Sequence, residues 1–70
     1  MNYRVTTYYW DEPSISEDFD LLDEATEAMQ STDEAARFAP VSVAGDIRGC
    51  NIRHIPSNQI IRKASYGSAA

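Results

Sequence analysis

Ten carboxylates fall between Asp11 and Glu34: Asp11, Glu12, Glu17, Asp18, Asp20, Asp23, Glu24, Glu27, Asp33 and Glu34. The chain has eleven in all, and this stretch contains no Lys or Arg. Clustered carboxylates can do three kinds of chemistry. They can work in acid/base pairs, hold a hard cation, or present a negative surface to a cationic partner. Spacing speaks against the first two. Asp11–Glu12 and Asp18–Asp20 lack the ligand pattern of a calcium loop, and no Gly lies among them. Glycoside hydrolysis by a carboxylate pair needs a deep cleft, which 70 residues can hardly build.

The other reactive side chains are equally sparse. The single cysteine, Cys50, and the single histidine, His54, stand four apart on an expected strand. They share a face there but lie about 13 Å apart along it, too far for a nucleophile–base pair. Cys50 is read as a small buried hydrophobe and His54 as a surface residue at a strand end. One cysteine makes no internal disulfide, and one Cys with one His makes no protein-only zinc site. A glycine-rich phosphate loop is missing too. The expectation is a chain with no cofactor, no metal and no enzymatic activity.

A negative surface is what remains. Carboxylates at this density imitate a nucleic-acid backbone, which carries one charge per ~1.7 Å of duplex axis. Such a surface fits a basic groove on a partner protein, with encounter sped by electrostatic steering. The partner-binding set expected on this ground is Asp11, Glu12, Glu17, Asp18, Asp20, Asp23, Glu24 and Glu27, with Tyr8 and Trp10 as aromatic anchors. The competing explanation is that the acids only keep a small protein soluble.

The net charge of −5 conceals an opposite patch. Arg48, Arg53, Arg62 and Lys63 crowd the C-terminal third, interleaved with His54 and Tyr66. They permit a nucleic-acid-binding edge, opposed by the acid field elsewhere in the chain. Arg62-Lys63-Ala64-Ser65 has the look of a basophilic kinase site, read as coincidence inside a strand.

These residues must be positioned by a few short elements. Tyr3 to Trp10 is dense in aromatic and β-branched residues, with Tyr3, Val5, Thr7 and Tyr9 on one face and Arg4, Thr6, Tyr8 and Trp10 on the other. Aromatics on both faces predict an interior or doubly covered strand. Pro13 stops it, and residues 11–18 are expected to form an acidic loop anchored by Ile15. Ser16 or Asp18 is the expected helix cap. Leu22, Ala25, Met29 and Ala36, widened by Leu21 and Ala28, form a helical stripe. Ser31 with Glu34 matches a capping box, which leaves open one bent helix or two consecutive ones through Phe38. Pro40 ends any helix.

Val41–Val43 then alternates like a strand, with a hairpin turn expected at Gly45 and Arg48-Gly49 as a competing turn or bulge. Cys50, Ile52 and His54 share one strand face, opposite Asn51 and Arg53. Pro56-Ser57-Asn58 is a turn. Gln59 to Tyr66 is a final strand, and residues 67–70 a loose tail. The fold class is therefore α+β: strand, acidic loop, helix, then two or three strands in a small, mostly antiparallel sheet with the helix on one face.

Seventy residues make one domain, which buries only about 60% of its unfolded surface and so gains from self-association or a tight partner. A homodimer is one expectation. No apolar run approaches the ~20 residues that cross a bilayer, and the N-terminus has no basic-then-apolar leader. With Met1 and this length, the chain reads as a complete small gene product. A free cysteine suits a reducing cytoplasm, here that of a bacterial host cell.

With Tyr3–Trp10 as strand, Leu21-Leu22-Asp23-Glu24-Ala25 opening a helix and Val41–Val43 as strand, the chain resembles small phage-encoded inhibitor proteins of the anti-CRISPR type. The resemblance covers most of the chain and is architectural. It implies an inhibitor acting by binding, against a nucleic-acid-binding complex of bacterial immunity. The alternatives are a structural or assembly subunit acting as a homo-oligomer, and a nucleic-acid-binding module using the basic C-terminal strands.

Overall fold

The aromatic, β-branched run near the N-terminus forms the strand its composition demands, β1 (Tyr3–Tyr9). In the structure, a computed structural model that describes residues 1–38 and 47–66, it is followed by β2 (Ile15–Phe19), α1 (Leu22–Phe38), β3 (Ile47–His54) and β4 (Gln59–Ser65). The four strands make one antiparallel sheet in the order β2-β1-β3-β4, so β1 is interior, one of the two places its aromatic faces allow. The helix packs on one face of the sheet, against β1, β2 and β3. The class is α+β. The expected stop at Pro40, strand at Val41–Val43, turn at Gly45 and tail at 67–70 lie outside the described residues.

Register decides what each face carries. Val5 stands between Glu17 on β2 and Ile52 on β3, and Ile52 stands beside Arg62 on β4. Val5 and Ile52 meet Ala25 of the helix to form the core, with Tyr3, Phe19, Ala28 and Met29 packed around it. Ile52 and Ala25 have no exposed surface. Ala25 suits this site because a small side chain lets the helix backbone approach the sheet.

The acidic segment departs most from expectation. Residues 15–18 belong to a strand, not a loop, so Ser16 and Asp18 cannot cap the helix. Strand pairing supplies what the local sequence lacks. Arg4 faces Asp18 across β1–β2 and donates to both its oxygens, from Nε at 2.8 Å and Nη2 at 3.1 Å. Thr6 faces Ser16, their hydroxyls 3.0 Å apart. Such cross-strand pairs stabilise a sheet whatever the propensity of the individual residues. Ile15 is 60% exposed and anchors nothing.

Helix α1 runs unbroken through the two alternatives at residue 31. Thr32 Oγ1 donates to Ala28 O at 3.3 Å, a back-bond within the helix that takes the place of a break. Leu21 and Leu22, expected on the buried stripe, are 61% and 39% exposed. They sit at the helix N-terminus, ahead of Ala25, where the helix closes on the sheet.

Two irregularities shape the far side of the sheet. Tyr8 pairs with Gly49 and Tyr9 with Ile47, which leaves Arg48 as an extra, bulged residue of β3. Ile52 pairs with Arg62 and Arg53 with Ile60, which leaves Ile61 extra on β4. The β3–β4 turn closes through Asn58 N donating to Ile55 O at 3.2 Å, with Asn58 at φ 59°, a left-handed conformation that Asn tolerates. Arg53 Nη1 holds that turn by donating to Asn58 Oδ1 at 2.7 Å.

Candidate functional site

The fold divides the ten clustered acids. Glu17 points to the helix side of β2, and Glu24 and Glu27 lie on the neighbouring turns of α1. These three line a groove of about 360 Å³ between α1 and β2, with Phe19, Ala28 and Ser31 as its other walls. Among the described residues none of the three is in an ion pair. Phe19, half-buried and packed on the core, gives the groove an apolar wall. An aliphatic stem ending in a cation fits this arrangement: the stem lies on Phe19 and the charge meets carboxylates.

The remaining expected partner-binding residues lie elsewhere. Trp10, Asp11 and Glu12 occupy the β1–β2 connection, which β1 carries to the opposite end of the sheet from the start of α1. All three are exposed, Trp10 at 42%. Asp23 is exposed in the first turn of α1, and Asp20 lies 3.8 Å from the Met1 amino group. Asp18 lies on the helix-free face of the sheet, neutralised by Arg4. That hydrogen bond lowers the Asp18 pKa from its ordinary value and raises that of Arg4. Tyr8 is on the same helix-free face, half-buried, with the Arg48 guanidinium 5.4 Å from its ring centroid. The acids that converge are therefore Glu17, Glu24 and Glu27, and the aromatic beside them is Phe19, not Tyr8 or Trp10. The i, i+3 relation of Glu24 and Glu27 was readable. Glu17 and Phe19 join only because β2 is a strand.

Two clusters with reactive atoms invite a chemical reading. His54 Nδ1 lies 2.7 Å from Ser57 Oγ, a serine–histidine contact that the strand reading of His54 did not reveal. His54 ends β3, and Ser57 lies in the β3–β4 turn. The His54 ring is tilted against Tyr3, with centroids 5.4 Å apart. Among the described residues no carboxylate bonds the ring and orients it as a base. The contact clasps the turn.

The second cluster links β3, α1 and the end of β4. Cys50 Sγ lies 3.5 Å from Tyr66 Oη, and Tyr66 Oη donates to Asp33 Oδ1 at 2.8 Å. Arg37 Nε donates to the same carboxylate at 3.0 Å. Burial pushes the Cys50 thiol up, so it is a poor nucleophile. Tyr66 is also raised, first by burial and then by its two hydrogen bonds. Asp33 is held below the ordinary carboxylate value, first by Tyr66 and then by Arg37.

A group with a depressed folded pKa contributes stability above its unfolded value, about 3.9 for Asp, and that contribution is lost as pH falls through the folded value. Unfolding stability should therefore be flat above about pH 5, in so far as Asp18 and Asp33 set it, and decline below about pH 4. In Tyr66→Phe the Asp33 carboxyl should titrate closer to 3.9, and carboxyl-carbon NMR reads this directly. An unchanged Asp33 titration would mean that the Tyr66 hydrogen bond is not formed in solution.

Among the described residues no group of three or more His, Cys, Asp or Glu side chains is placed to hold a metal ion, and no helix is long and apolar enough to cross a membrane. Comparison with known protein families, with curated proteins and with solved structures finds no match to this chain.

Proposed function

We propose that this is a non-enzymatic binding protein that grips a cationic protein surface in the acidic groove between α1 and β2. The observation that carries the reading is the convergence of Glu17, Glu24 and Glu27, without ion pairs among the described residues, around the apolar wall of Phe19. Lys or Arg side chains of the partner enter the groove, their stems on Phe19 and their charges on the carboxylates. Exposed Asp23 widens the negative field and steers the encounter. The partner so described is a protein with a basic groove, of the sort that holds nucleic acid. This keeps the chain in the company of phage-type inhibitors acting on bacterial immunity complexes inside the host cell.

An affinity capture from bacterial lysate tests this, run at about 50 and 500 mM salt with mass-spectrometric identification. Wild-type protein should retain a basic nucleic-acid-binding complex at low salt and release it at high salt. The triple variant Glu17→Lys, Glu24→Lys, Glu27→Lys should retain at least tenfold less. Equal retention by the variant would remove the groove from the mechanism.

A second reading, an assembly subunit acting as a homo-oligomer, has its own observation. β4 is an end strand of the sheet, and its Ile60 and Ile61 are 47% and 42% exposed. Sedimentation decides it: a strict monomer at high concentration speaks against it, and a dimer lost in Ile61→Lys speaks for it.

A further inference from the structure

The face of the sheet turned away from α1 is as distinctive as the groove. By register it carries Arg4, Thr6 and Tyr8 of β1, Asn51 and Arg53 of β3, and Lys63 of β4, with Ile60 opposite Arg53 and with Ser16 and Asp18 on β2. The bulge adds Arg48, whose guanidinium lies over the Tyr8 ring. Among the described residues four cations thus stand on one face against a single carboxylate, Asp18, which Arg4 already occupies. Arg48, Arg53 and Lys63 have no acidic partner among the described residues, and no described helix or strand covers them.

Polar groups on this face are also incompletely matched. Asn51 is 8% exposed and donates through Nδ2 to Tyr8 Oη at 3.1 Å. Its Oδ1 is buried without a hydrogen-bond partner. A buried acceptor left unmade is costly.

We propose that this open face binds single-stranded nucleic acid. Arg48, Arg53 and Lys63 meet phosphates. The Tyr8–Arg48 pair offers a platform for an unstacked base. A flat sheet face presents such groups to one strand at a time, whereas a duplex hides its bases in grooves. The acids do not forbid this. Glu17, Glu24 and Glu27 project from the opposite side of the sheet, and exposed charges are screened over about 8 Å at physiological salt. The proposal is independent of the acidic groove, and the two faces together would let the protein bridge a cationic protein and a nucleic acid.

The experiment is fluorescence anisotropy of the full chain with a labelled mixed-sequence 20-nucleotide strand, as RNA and as DNA, and with the matching duplex. Single strands should bind at 50 mM salt, RNA or DNA, and more tightly than duplex. Three phosphate contacts predict an affinity about 20-fold weaker at 200 mM salt. Arg48→Gln with Arg53→Gln and Lys63→Gln should abolish binding, and Tyr8→Leu should weaken it about tenfold. Circular dichroism and urea midpoints verify that these variants fold. Glu24→Gln with Glu27→Gln is the control on the other face and should leave binding intact. Absence of binding at 50 mM salt overturns the proposal, as does binding indifferent to the triple substitution or tightest to duplex. Displacement of the strand by polyglutamate at equal charge concentration would also overturn it, by assigning the face to an acidic protein.

Discussion

Replacing Ile52 by Ala should unfold most of the protein at 25 °C without denaturant. Among the described residues Ile52 is the largest side chain with no exposed surface, and it sits where β1, β3 and the helix meet, in contact with the Val5–Ala25 cluster. Removing its three outer carbons loses their burial and leaves a cavity, which costs about 2–5 kcal/mol in comparable cores. A domain of this size rarely has more than about 3–5 kcal/mol in total. The core is thin, because the buried apolar residues described are Val5, Ala25, Ile47, Cys50 and Ile52.

Urea unfolding followed by circular dichroism gives the comparison. With a slope near 1 kcal/mol/M for small proteins, each kcal/mol lost moves the midpoint down by about 1 M, so a loss equal to the whole stability leaves no folded baseline even without urea. Ile60→Ala is the matched control: the same chemical change on an end strand, at a side chain 47% exposed, should stay within about 0.5 kcal/mol. Equal effects of the two substitutions would show that the core is not at the β1–β3–α1 junction.

Gly49→Ala is the second large effect, and its origin is backbone contact rather than φ. A Cβ at Gly49 would lie 2.7 Å from the carbonyl oxygen of Ala64 on β4 and 3.6 Å from Ser65 Cα. An oxygen of the backbone ladder cannot swing aside as a side chain can. β3 and β4 must separate locally, with loss of the adjoining Tyr66 N to Arg48 O bond of 2.9 Å. Overpacking of this kind costs about 1–3 kcal/mol. Hydrogen exchange should show protection lost first at the amides of β4 and Tyr66, while β1 and β2 keep theirs. Because the obstacle is a main-chain atom, shortening the neighbour by Ala64→Gly should not rescue the variant. Rescue would mean that side-chain crowding, not the close approach of two strands, excludes larger residues at position 49.

Much of the architecture was legible because it depends on periodicity within one element. Alternation in Tyr3–Tyr9 specified both faces of β1 and left an interior or a doubly covered strand, of which the sheet order shows the interior one. The same two-residue period put Cys50, Ile52 and His54 on one face of β3, and Pro56-Ser57-Asn58 announced the turn. The three- and four-residue spacing of Ala25, Ala28 and Met29 specified the helix face that meets the sheet. A local pattern of this kind is complete in a window of a few residues.

What only the tertiary structure decided is how those elements sort their charges. Ile15–Phe19 reads as an acidic loop until β1 is beside it, offering Arg4 to Asp18 and Thr6 to Ser16. Once β2 is a strand, consecutive acids part company: Glu17 goes to the groove with Glu24 and Glu27, and Asp18 to the opposite face. The β3 bulge likewise brings Arg48 over Tyr8, and pairing with Arg4 and Asn51 puts Arg53 and Lys63 on the face without a helix. The physical reason is that side chains alternate along a strand with period two, so a residue's face depends on register with a neighbour many positions away. Composition counts charges; pairing decides which of them stand together.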